Sequence, residues 1–166
     1  MGQRIIETWA KSKLNARFEW GKNDCHWLLY EFVTITQDWH DPDNIKRFYQ
    51  TYNNEKGAMY IVKDMNIEDD LKALHFKPIG KKVKPTAGDI AVCYLKDKPY
   101  NLYMPVIYGS NVLVGDPGTN TITLMSIKSL GFKVEVLRAQ PPEVIEVEEV
   151  IEVEEVIEEV EVDKEQ

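Results

Sequence analysis

The hydrophobic period changes part-way along the chain, and that change restricts the fold more than any other feature of the sequence. Up to about residue 75 the apolar residues recur at helical spacing. From Asp89 onward they gather in short runs rich in Val, Ile, Thr and Tyr. Ile5, Ile6, Trp9 and Leu14 share one helical face over residues 3–15. A second helix is expected after the capping residues Asn23 or Asp24 and as far as Ile35, with Cys25, Leu28, Leu29 and Phe32 at i, i+3, i+4, i+7. Shorter helices are expected after Asp43 or Asn44 (Ile45, Phe48, Tyr49), over Gly57–Met65 and over Asp69–Leu74. The later runs DIAVCYL, YMPVIYG, NVLVGD, TITLMS and FKVEVLRA are separated by Gly, Asn and Pro, the pattern of an antiparallel meander or small barrel. Helices first and strands after imply an α+β fold, with N-terminal helices packed on a small antiparallel β-sheet.

Charge divides the chain a second way. Residues 143–166 hold 12 of the 28 acidic residues and one of the 20 basic ones. Residues 1–142 therefore carry 19 basic and 16 acidic residues, a net of +3. Two units follow: residues 1–140 as the folded domain and residues 141–166 as an acidic low-complexity tail built on the near-repeat EVIEVE. In the tail neither a helix nor a strand would gather the Val and Ile residues on one face, and self-repulsion favours an extended, disordered segment. Its alternative roles are to bind a basic surface or to add a strand to a partner's sheet edge. The body is too weakly and too diffusely basic for a nucleic-acid surface, and its densest basic run, Lys77–Pro85, reads as a solvated loop. No apolar run reaches the length of a membrane span, and the charged N-terminus does not read as a secretory signal, so synthesis in a cytoplasm is expected.

Cys25 and Cys93 are far apart and match no metal-ligand spacing, so neither a disulfide framework nor a metal site is expected, and no cofactor. Cys25 has two readings. At the start of a helix, the unpaired amides and the dipole favour a reactive thiolate. The same position lies on the apolar stripe with Leu28 and Phe32, where a cysteine packs as a small hydrophobe, and Asp24 beside it opposes the thiolate.

Phe18, Trp20, Gly21, Asp24 and Cys25 form the pattern FxWGxxDC, followed by Leu28. This resembles the FxWGxHDC signature of a phage and prophage family of unassigned function, itself similar to the NlpC/P60 branch of papain-like cysteine hydrolases. Further likenesses are Arg47-Phe48-Tyr49, Lys56-Gly57-Ala58, Ala87-Gly88-Asp89-Ile90, and a hairpin from Met104–Gly109 into Val112–Gly115; together they span Ile5 to Arg138. The resemblance implies a cysteine-bearing helix packed on a small antiparallel sheet, with Cys25 as the candidate nucleophile. It also implies a base: in NlpC/P60 enzymes a histidine near the start of the strand after the "GD" strand takes the thiol proton.

Here that region reads KDKPYNLYMPVIYG and has no histidine. The signature's own histidine is replaced by Asn23. Among the three histidines, His26 adjoins Cys25 but projects about 100° away on a helix, His40 lies in a turn, and His75 precedes the basic run. Trp20, Asn23, Asp24, Asn101 and Tyr103 are the expected lining of a residual cleft. The expectation is a phage-encoded virion or tail-assembly protein, made in the cytoplasm of an infected bacterium, with other virion proteins as partners. The alternatives are an active cysteine amidase or endopeptidase cutting peptidoglycan stem peptides, and an adaptor acting through its acidic tail.

Overall fold

The computed structural model describes residues 2–39, 43, 48–98, 100–131 and 133–141. Among them are four helices, α1 (Gln3–Lys13), α2 (Cys25–Gln37), α3 (Glu55–Asp64) and α4 (Ile67–Ala73), and six strands, β1 (Phe76–Pro78), β2 (Ile90–Tyr94), β3 (Leu102–Tyr108), β4 (Asn111–Asp116), β5 (Thr121–Ser126) and β6 (Lys133–Ala139). The strands form one sheet in the order β1-β6-β2-β3-β4-β5, and every neighbouring pair is antiparallel. This is the α+β class that the change of period implies.

Local chemistry sets the helix ends. Asp24 caps α2 by accepting from the Trp27 amide, and Asn54 caps α3 by accepting from the Gly57 amide. α3 therefore begins two residues before the expected Gly57. Glu68, Asp69 and Asp70 occupy the first turn of α4, where carboxylates offset the positive helix end. The short helix expected around Ile45 lies largely outside the described residues, as do His40 and the acidic tail.

The sheet is neither a closed barrel nor a plain meander. β2 to β5 run as a meander, but β6 returns to pair with β2 on its other edge, from Ile90↔Leu137 to Tyr94↔Lys133. β6 in turn recruits Phe76–Pro78 as a three-residue edge strand. The expected loop over Lys77–Pro85 is thus corrected at its start: Lys77 pairs with Arg138, and only the remainder is loop. Three residues with one buried side chain carry too little alternation to be read as a strand.

β2 is buried on both faces, which explains its unbroken apolar run. Ile90 and Val92 face α1 and α2, joining Ile6, Leu28, Phe32, Leu113 and Ile122 in the main core. Ala91 and Cys93 face the other way, against Met104, Val106, Val112 and Val114. α2 lies across β3 and β4, while α1 rests on β3 and α2. Trp9 ties the two helices together, its ring 5.7 Å from Phe32 and its indole N–H donating to Glu31 at 3.0 Å. Under the "GD" turn, the buried Asp89 accepts from both Nε and Nη2 of Arg138 at 2.9 Å and from the Thr86 amide.

Candidate functional site

Residues 15–23 deliver Cys25 to the sheet. Asn15 and Phe18 donate backbone hydrogen bonds to Ile122 and Asn120, so this segment runs along the outer edge of β5. Gly21 then turns the chain with φ +79°. A Cβ at Gly21 would lie 2.3 Å from the Tyr52 carbonyl oxygen, so only glycine fits. The Asp24 carboxylate, 2% exposed, fixes the start of α2 from inside. Its Oδ1 accepts from the Trp27 amide at 3.0 Å, and its Oδ2 accepts from the Gly21 amide at 2.8 Å and the Tyr52 hydroxyl at 2.7 Å.

Cys25 is the first residue of α2, and its sulfur sits against β4. The thiol donates to the Gly115 carbonyl at 3.4 Å. Gly115 is itself a close-approach position: a Cβ there would meet the Phe18 ring at 2.8 and 2.9 Å and the sulfur at 3.5 Å. Burial pushes the thiol up to about 12, with the neighbouring Asp24 and then Asp116 adding in the same direction, while backbone hydrogen bonds at Gly115 and Cys25 oppose them. The helix-terminal position that favours a thiolate is outweighed by desolvation and two carboxylates.

A cleft of about 190 Å³ opens beside the sulfur. Trp20, Asp24, Cys25, Asn101 and Tyr103 all line it. Asn23 does not; its amide turns back to donate to the Arg17 carbonyl at 2.9 Å. The remaining walls are mainly apolar, and they include Phe18, Leu29, Met59 and Leu102. Phe18 and Trp20 meet edge to face with centroids 4.8 Å apart.

No histidine hydrogen-bonds the sulfur among the described residues. His26 contributes to the cleft wall, but both its ring nitrogens are shut off from solvent without a partner, and burial lowers its pKa. His75 precedes β1, four strand spacings from β4, or roughly 19 Å. Tyr103 is the half-buried side chain on the strand where a base would arrive, and burial raises its pKa. No cluster of His, Cys, Asp and Glu able to hold a metal occurs among the described residues.

Two contributors escaped the sequence reading. Tyr52 is far from Asp24 in the chain and carries no local mark of its role. Gly115 could have been found, because a glycine inside a strand pattern marks a close backbone approach. No family model matches the chain, and no curated protein or solved structure does.

Proposed function

We propose that the chain is a binding protein on a cysteine-hydrolase-like scaffold, in which Cys25 forms part of the wall of a ligand cleft and does not act as a nucleophile. The observation that supports this is the state of the sulfur. Its proton is donated to the Gly115 carbonyl, and among the described residues no imidazole hydrogen-bonds the sulfur to remove it. A thiol attacks an amide only as the thiolate, so a sulfur held this way at neutral pH lacks the reactive form. The cleft keeps the apolar walls and few polar groups of a binding site. The likeness of the Phe18–Cys25 motif to the phage family supplies the setting: a virion or tail-assembly protein, made in an infected cell, whose partners are other virion proteins.

Alkylation of the Cys93→Ala protein by iodoacetamide between pH 6 and 10 tests the reading. With a pKa of about 12, Cys25 should react at pH 7.5 on the order of a thousandfold more slowly than free cysteine. Its rate should climb about tenfold per pH unit without a plateau. A plateau below pH 7, or turnover of a peptidoglycan peptide that is lost in Cys25→Ala, would establish the active amidase in its place.

A further inference from the structure

Between α3 and the start of β3 the Cys25 cleft opens into a wider groove of about 560 Å³. Met59, Val62, Ile67 and Tyr103 belong to both. Met59, Val62 and Met65 give this groove apolar walls, and Tyr60, 71% exposed, stands at its edge. Among the charged residues lining it, Glu68 is paired with Lys72, whereas Lys56 and Lys63 enter no ion pair among the described residues. Glu55, next to Lys56, is held by Lys98. The groove is therefore apolar inside, and its lining charges are two lysines without an ion pair among the described residues and one glutamate that is already paired.

The chain carries a segment of matching composition. Residues 143–166 contain 12 acidic residues, ten Val or Ile, one Lys, and no Gly, Pro or aromatic residue. The chain leaves the sheet close by, since the Gln140 amide donates to the His75 carbonyl at 2.9 Å, just past the end of α4. α4 is roughly 10 Å long, and its first residue, Ile67, lines the groove. Even a compact coil of the 25 residues after Pro141 spans about 25 Å. Tethering at that range gives a local concentration of order millimolar.

We infer that the acidic tail docks in this groove, with Val and Ile side chains against Met59, Val62 and Met65 and its carboxylates facing Lys56 and Lys63. The exposed lysines Lys77, Lys81, Lys82 and Lys84 are the rival surface, and charge alone would send the tail there. Exposed ion pairs contribute little and are screened by salt, whereas burying a Val or Ile side chain contributes several times as much. The groove offers both kinds of contact. The inference stands whether or not Cys25 is catalytic.

Methyl NMR of the methionines tests it, with the buried Met104 as internal control. The full chain is compared with a chain ending at Pro141. The Met59 and Met65 methyl signals should move on truncation while Met104 stays, and a synthetic 143–166 peptide added to the truncated protein should return them. Lys56→Glu with Lys63→Glu in the full chain should weaken the docked state and shift both signals toward their truncated positions. Identical Met59 and Met65 signals in the two chains would overturn the inference. So would truncation shifts confined to the amides of Lys77–Lys84, which would place the tail on the basic loop, or shifts that appear only at high protein concentration, which would place it on a second copy.

Discussion

The Tyr52 hydroxyl donates to the Asp24 carboxylate at 2.7 Å across 28 residues of sequence, and this contact joins the loop before α3 to the first turn of α2. A buried carboxylate is costly without donors, and Asp24 has three: two amides and this phenol. Tyr52→Phe removes one of them with almost no change of shape. It should lower the unfolding free energy by about 1.5–3 kcal/mol, the usual cost for a hydrogen bond to a charged group. Urea titration should show a lower midpoint with an unchanged slope. Asp24→Ala, which also removes the helix cap, should cost more than Tyr52→Phe.

The raised thiol makes stability depend on pH in a defined window. The folded thiol titrates near 12, above the unfolded value of about 8.5. Above pH 8.5 the unfolded chain releases the proton and the folded chain keeps it, so stability is full below that pH and falls as pH rises toward 12. Between pH 8.5 and 10 the fall should be at most about 1.4 kcal/mol per pH unit, reduced by the partial solvent contact of the half-buried sulfur. Cys25→Ser should reduce that slope and leave the part due to the buried Cys93 thiol, whose pKa burial also raises. Tyr52, whose pKa is also raised, chiefly by burial and then by Asp24, adds a similar loss only above its ordinary value near 10.

Gly115→Ala probes the close approach of β4 to the site. The added methyl would stand 2.8 Å from the Phe18 ring, so Phe18 must move. Overpacking of this kind costs about 1–3 kcal/mol. Because Phe18 meets Trp20 edge to face, tryptophan emission should change along with the urea midpoint. A stability loss with no spectral change would mean that the strain is relieved elsewhere.

Arg138→Ala leaves the Asp89 carboxylate buried and without its forked partner. Removing one member of such a pair costs about 3 kcal/mol or more when both are buried; here the arginine is one-third exposed, and the Thr86 amide stays on the carboxylate, so a loss of about 2 kcal/mol is expected. Arg138→Lys should recover part of it, since an ammonium cannot reproduce the two-pronged geometry. Thermal unfolding of the three proteins at pH 7 gives the order.

Much of the architecture was written locally. Asp24 at the head of an apolar stripe marks a helix start wherever it stands, and the Val- and Ile-rich runs from Ile90 to Ala139 mark strands, because propensity and period act over a few residues. The same local rules placed Cys25 at a helix N-terminus. They also left out a histidine where the resemblance called for one, and the described residues bring none to the sulfur. What no local rule reaches is pairing between distant segments. The return of β6 to β2, the recruitment of Phe76–Pro78 as an edge strand, the phenol of Tyr52 on Asp24 and the carbonyl of Gly115 under the sulfur all depend on chain packing over 28 to 90 residues of separation or through the sheet order. The sequence by itself put a thiol at the start of a helix; only the tertiary structure decided that this thiol stays protonated, because burial against β4 and the charge of Asp24 outweigh the pull of the helix amides.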